Sequence, residues 1–284
     1  MRIRPTFTHL AQGMLMGTAD VVPGVSGGTV ALIVGIYTRL IDSIRAAASL
    51  RLRDVEWGLV LPLLGGIVAA LAVGTLVIPP LLEAYPARAR GLFFGLVAAS
   101  LPVPWRAIAR PGVREAVMVL MAAAVAFVLV GVPPRTVADP GVLMAAAAAS
   151  VAICAMILPG VSGAFLLEAM GMYQPTLQAA RDLDVVYVAG FGVGAVLGLG
   201  AFSRVLGWLL ERRHDATMAA LVGLMAGALR ALWPWADEDR GLLAPPDDLA
   251  AVLAVVGLAL LGFAAVSALV MWGARRERSE VPAS

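Results

Sequence analysis

Three runs of this chain, 57–82, 116–134 and 249–274, contain no charged residue. A helix needs about 20 apolar residues to cross the hydrocarbon core of a bilayer, and each of these runs reaches or approaches that length. The run 185–203 is also uncharged and can continue past Arg204. Weaker candidates lie at 89–105 and 216–233. Composition agrees. Hydrophobic residues make up 61% of the 284 and charged residues 14%, with a mean hydropathy of +0.90. Soluble domains sit near 45–50% apolar and roughly 25% charged. A disordered chain, a nucleic-acid-binding domain and an ordinary soluble enzyme are excluded. A transmembrane barrel would show short alternating segments instead. The chain reads as an all-α polytopic integral membrane protein.

Two further regions, 6–45 and 142–180, each hold two apolar stretches joined by a Pro-Gly-Ser turn: VVPGVSGGT (21–29) and ILPGVSGAF (157–165). Pro-Gly breaks a helix, and glycine permits a tight turn. The flanking stretches are about 15–18 residues, near or below a full span. They are expected to form re-entrant hairpins, although two full spans would also return the chain to the same side. Tolerated breaks of this kind require protein or a cavity around them.

The turns belong to a repeat. Residues 22–37 read VPGVSGGTVALIVGIY and residues 158–173 read LPGVSGAFLLEAMGMY, a constant offset of 136. Arg45 and Arg181 match at the same offset. Further on, GIVAALAVG (66–74) resembles GVGAVLGLG (192–200). The expected halves are 1–136 and 137–284, each with one hairpin and three spans. Three crossings is an odd number, so the second half would be inverted. The whole would hold about six full transmembrane helices plus two re-entrant hairpins, a plan common among secondary transporters. Membrane enzymes can also be inverted repeats.

Arginine placement gives the expected sidedness. All 21 basic residues are arginine. With the amino end inside, Arg88, Arg90, Arg135, Arg181, Arg230 and Arg240 fall outside, and the other fifteen fall inside. That asymmetry marks cytoplasmic loops and puts both termini in the cytoplasm. The amino end carries Arg2 and Arg4, but His9, Gln12 and Asp20 interrupt the apolar stretch after them, so no cleavable signal is expected. Cys154 is the lone cysteine and is expected to be a small core residue. His9 and His214 are far apart, so no metal site is expected, and no cofactor is implied.

The motif has its own chemistry. The next helix should start near Thr29 in the first copy and near Ala164 in the second. Its first N–H groups lack intrahelical partners and its dipole is positive there. Ser26, Thr29 and Ser162 add hydroxyls, and glycines let a ligand approach the backbone. A helix start buried in a membrane suits an anion such as phosphate. A sharp hairpin with close helix packing would need the same glycines. Asp20 and Glu168 are expensive in lipid and are candidates for coupling to H+ or Na+, or for pairing with an arginine, with a helix-end hydrogen bond to the turn backbone as the plain alternative for Asp20. Arg204 is a candidate headgroup contact, with snorkelling to the interface as the plain alternative. Arg45 and Arg181 are expected at the interface. Tyr37 and Tyr173 are expected in an aromatic belt, with lining of the site as the alternative. The Gly-rich helices over 65–74 and 190–200 are expected to pack closely on neighbours.

The pattern G-x-A-D-V-V-P-G-V-S-G-G-T-V-A (17–31), G-I-Y-x-x-L-I (35–41), I-L-P-G-V-S-G-A-F-L-L (157–167) and G-M-Y (171–173) resembles the PopT-type polyprenyl-phosphate translocases of the bacterial inner membrane. The resemblance covers nearly the whole chain. It implies a flippase that returns undecaprenyl phosphate from the outer to the cytoplasmic leaflet, supporting synthesis of peptidoglycan and other cell-envelope polymers. By motif match the implied site residues are Asp20, Pro23, Gly24, Ser26, Gly27, Gly28 and Thr29, with Pro159, Gly160, Ser162, Gly163 and Glu168. The second copy departs from the first at Ala164-Phe165, where the first has Gly28-Thr29. The implied partners are a lipid phosphate and membrane lipids, with no nucleic acid.

Two rivals stand beside this reading. A membrane polyprenyl-pyrophosphate phosphatase would use a similar loop, but with an arginine where this chain has Gly27 and Gly163, and with closely spaced glutamates that this chain lacks. An anion channel or ion-coupled small-solute transporter would also suit Gly-Ser-Pro turns at helix ends.

Overall fold

The computed structural model describes residues 3–21, 26–133, 136–159, 162–237 and 239–280. The chain opens with α1 (Ile3–Val21), α2 (Gly27–Ile33) and α3 (Tyr37–Ala48). There follow α4 (Trp57–Ala84), α5 (Pro86–Ser100), the short α6 (Pro102–Arg106) and α7 (Val113–Val130). The order then recurs. It runs through α8 (Val142–Ile157), α9 (Gly163–Ala169), α10 (Tyr173–Arg181), α11 (Val185–Arg212) and α12 (His214–Ala228). A 3-10 turn (Leu229–Leu232) and α13 (Leu249–Glu280) complete it.

Five helical stretches are long and apolar enough to cross a membrane: Trp57–Gly74, Val113–Val130, Val185–Arg212, His214–Leu232 and Leu249–Ala268. The chain is a polytopic helical membrane protein. Large side chains such as Leu120 and Met121 on α7 and Leu260 and Leu261 on α13 face outward. So broad an apolar surface is stable only in lipid. Sequence expected a sixth full span over 89–105. Instead α5 is 15 residues, about 22 Å at the helical rise. The chain restarts as α6 with Pro102 in its first turn, where a missing N–H is tolerated.

Each region expected to hold two helical stretches holds three helices. The extra break follows α2 and α9, at Gly35 (φ 75) and Gly171 (φ 76). Gly35 N–H bonds to Leu32 O (3.2 Å) and Ile36 N–H to Ala31 O (3.0 Å). Gly171 N–H bonds to Glu168 O (3.0 Å) and Met172 N–H to Leu167 O (2.8 Å). This is the same left-handed glycine stop twice. The repeated Gly-x-Tyr held that signal.

α1 lies on α4, α8 on α11, α5 on α13 and α12 on α7. The Gly-rich helices pack closely, as expected. A Cβ at Gly66 would strike Leu10 O, and one at Gly194 would strike Ala146 O. The largest buried cluster joins elements distant in sequence, with Ile41, Leu59 and Leu63 beside Leu206, Leu221 and Met225.

Candidate functional site

The two short helices α2 and α9 begin at Gly27 and Gly163. Each starts one or two residues before the expected Thr29 and Ala164. Ser26 is the N-cap of α2 and accepts from Gly28 N–H (3.1 Å). Its hydroxyl also donates to Met156 O (3.1 Å) at the end of α8, in the other half. Asp20, at the end of α1, accepts from Gly27 N–H (2.7 Å). A carboxylate on the first amides of a helix is favoured by the exposed N–H groups and by the dipole.

Ser162 is the matching N-cap of α9, but its side chain makes no cap hydrogen bond. Asp20, Ser26, Ser162 and Gly163 nevertheless line one cavity of about 230 Å³. Ala149, Ala152, Ile153 and Met156 of α8 form much of its apolar wall, with Ala164, Leu167, Phe191 and Ala195. A water occupies roughly 30 Å³ of liquid, so the space holds a group larger than one water. Polar groups from both turns meet apolar side chains there, which suits an amphiphile or an anion with its counter-ion.

The other expected site residues that the structure describes fall outside this lining. Gly27 backs onto Asp20, where a Cβ would lie 2.7 Å from the carboxylate. Gly28 backs onto α8, where a Cβ would lie 2.8 Å from Ile157 O. Thr29 and Pro159 are buried. Pro23, Gly24 and Gly160 lie outside the described residues.

Arg204 is not brought to the cavity. It donates to Ala48 O (2.6 Å) and Ser49 Oγ (3.3 Å) at the end of α3. Cations are favoured at a helix C-terminus because its carbonyls are unpaired there.

Glu168 does not line the cavity and pairs instead with Arg240. The Arg240 guanidinium also stacks 3.6 Å above the Phe165 ring and donates to Val132 O (3.0 Å). Burial pulls this guanidinium below its ordinary pKa, and Glu168 opposes that pull. Arg240 escaped sequence reasoning because it sits in an acidic loop beyond the repeated motif. That loop is folded on itself. Asp237 accepts from Gly241 N–H (2.6 Å), and Trp233 Nε1 donates to Leu243 O (3.0 Å).

Tyr37 does not lie in an interfacial belt. It is 3% exposed and its hydroxyl donates to Ile157 O (3.1 Å). Tyr173, its match, is partly exposed at 37%. Arg45 pairs with Glu211 across the halves. Cys154 is half-buried in α8, with its thiol toward Gly198 O (3.7 Å). Among the described residues no cluster of His, Cys, Asp and Glu could hold a metal.

Lipid-facing helices around a small internal cavity with polar groups from two broken helices define a membrane transport protein rather than a soluble catalyst. Residues 16–245 match the undecaprenyl phosphate translocase-like family (VCA0040-like). The chain belongs to that family. It is 37% identical over 236 residues to a polyprenyl-phosphate transporter of Vibrio cholerae, covering 79% of this chain and 76% of that protein. No solved structure matches it.

Proposed function

We propose that this protein translocates undecaprenyl phosphate, or a similar polyprenyl phosphate, from the outer to the cytoplasmic leaflet of a bacterial inner membrane, so that the carrier is reused for envelope polymers. The carrying observation is that Asp20 and Ser26 of one repeat and Ser162 and Gly163 of the other line one cavity. A lipid phosphate has a charged head that cannot cross hydrocarbon unaided and a tail that can stay in lipid. The protein need only supply a polar seat for the head, and no covalent chemistry is required.

In this reading residues 1–136 and 137–284 are inverted repeats. α1–α3 and α8–α10 are re-entrant hairpins, there are six crossings of which the short α5 makes one, and both termini are cytoplasmic. The recurrence of element order and the pairing of α5 with α13 and α12 with α7 support it. Ser162 contacts the phosphate, and Ser26 does so once its hydroxyl leaves Met156 O, with the glycine-lined turns around them. Asp20 is the coupling carboxylate, taking H+ or Na+ as the head enters and leaves. Arg204 serves the fold of α3 instead of the head. Glu168 acts through Arg240.

The test is leaflet exchange of labelled polyprenyl phosphate in liposomes holding the purified protein. Exchange is expected with the native chain and is expected to fall in Ser26→Ala and Ser162→Ala. No exchange under a proton gradient of either sign would sink the proposal. Release of phosphate from the polyprenyl diphosphate would indicate an enzyme instead, and flux of a small inorganic anion would indicate a channel.

A further inference from the structure

The contacts between the hairpins obey the repeat, but only in one direction. Ser26 donates to Met156 O and Tyr37 to Ile157 O. Shifting each residue by the 136-residue offset gives the mates Ser162 to Asp20 O and Tyr173 to Val21 O. In an arrangement with true two-fold symmetry both sets would form together, as in any self-complementary interface. Only the first set is made. Ser162 caps nothing with its side chain, and Tyr173 OH has no hydrogen-bond partner among the described residues.

The donors of the unmade set are thus the same residue types as those of the made set. Their acceptors are also equivalent, being carbonyls of the last turn of α1, where helix carbonyls lack intrahelical partners. We infer that Tyr37 and Tyr173 are alternative positioning residues. Tyr37 docks the first hairpin on the end of α8 in the arrangement described here. In the opposite arrangement Tyr173 docks the second hairpin on the end of α1, and Ser162 caps Asp20 O. The cavity between the turns then opens to the other face. This rests on the inverted-repeat reading above and adds to it the contacts that exchange.

The exchange is not between equals. Gly28 lies so close to α8 that a Cβ there would stand 2.8 Å from Ile157 O. Its mate is Ala164, which has that Cβ. The second hairpin therefore cannot approach Val21 O as closely as the first approaches Ile157 O. The described arrangement is the favoured one, and the Ala164 methyl biases it.

The test needs no substrate. A single reporter cysteine, Ala149→Cys on the cavity wall, is placed in a Cys154→Ala background. Its rate of modification by a membrane-impermeant maleimide is measured in right-side-out and in inside-out vesicles. Tyr37→Phe should change the ratio of the two rates by about fivefold in one direction, the effect of losing one hydrogen bond. Ala164→Gly should change it in the same direction. Tyr173→Phe should change it in the opposite direction, and the double Tyr37→Phe/Tyr173→Phe chain should return toward the starting ratio. The inference is overturned if Tyr173→Phe moves the ratio with Tyr37→Phe or leaves it unchanged. If Tyr37→Phe does not fold, Ala164→Gly and Tyr173→Phe still decide. Opposite shifts without lipid exchange would sink only the transport reading. Lipid exchange with shifts in one direction would sink only this one.

Discussion

The first proposed hairpin, α1–α3, and the second, α8–α10, share a sequence pattern but are held differently. The first is tied down at its turn. Ser26 bridges Gly28 N–H and Met156 O, Asp20 takes Gly27 N–H, and Tyr37 reaches Ile157 O. The second is tied down further along, by Arg240 on Glu168 and Phe165, and leaves Ser162 facing the cavity. A repeated motif therefore gives a repeated backbone without a repeated set of contacts. The difference lies at matched positions, where Ala164, Phe165 and Glu168 stand for Gly28, Thr29 and Leu32, and in Arg240, which meets Phe165 and Glu168.

The largest expected effect comes from giving the first hairpin the methyl of the second. Gly28→Ala forces a Cβ against Ile157 O, and such overpacking costs about 1–3 kcal/mol. Thermal unfolding in detergent should show a clear drop in Tm. Ala164→Gly should cost under about 1 kcal/mol, the price of glycine in a helix. Equal losses from the two would remove the structural difference between the hairpins.

Next are the paired serines. Ser26→Ala loses a cap worth about 1 kcal/mol and leaves Met156 O without its donor. Ser162→Ala loses no cap, so its stability should stay within about 0.5 kcal/mol of native. Both should nonetheless slow lipid exchange. A stability loss in Ser162→Ala matching that of Ser26→Ala would break the comparison.

Glu168→Gln tests the tie that belongs to the second hairpin alone. Glu168 is 42% exposed and Arg240 15%, so screening trims the pair to about 1 kcal/mol. Hydrogen exchange of α9 amides should quicken while that of α2 stays as it was. Quickening of both would mean that the tie holds the whole assembly.

The smallest effect is expected at Arg204→Ala, which removes a donor from the end of α3 and costs about 0.3–1 kcal/mol. Lipid exchange should be nearly unchanged. A loss of substrate response without a loss of stability would return Arg204 to the headgroup.

Much of this was legible beforehand because membrane constraints are strong. Apolar runs long enough to span have few alternatives, and five stretches of the expected helices meet that length. The bounds of α2 and α9 match at the 136 offset, as the repeated motif implied. The break at Gly35 and Gly171 was visible as a conserved spacing between the two copies, yet a left-handed residue announces itself only through its backbone angles. Tyr37 misled because an aromatic residue near a helix end is common at the bilayer interface. Arg240 and Arg204 could not be placed, since what an arginine meets depends on which carbonyls and rings lie within reach of its long side chain.

Sequence alone determined a helical membrane chain, its two broken-helix motifs and their spacing. Those follow from local rules: apolar length, proline and glycine geometry, and the cost of a charge in lipid. Tertiary structure decided that Ser26 and Tyr37 reach the end of α8, that Asp20, Ser26 and Ser162 share one cavity, and that Glu168 answers to Arg240. Those depend on distances between residues more than a hundred positions apart, or on different elements, which no local pattern encodes.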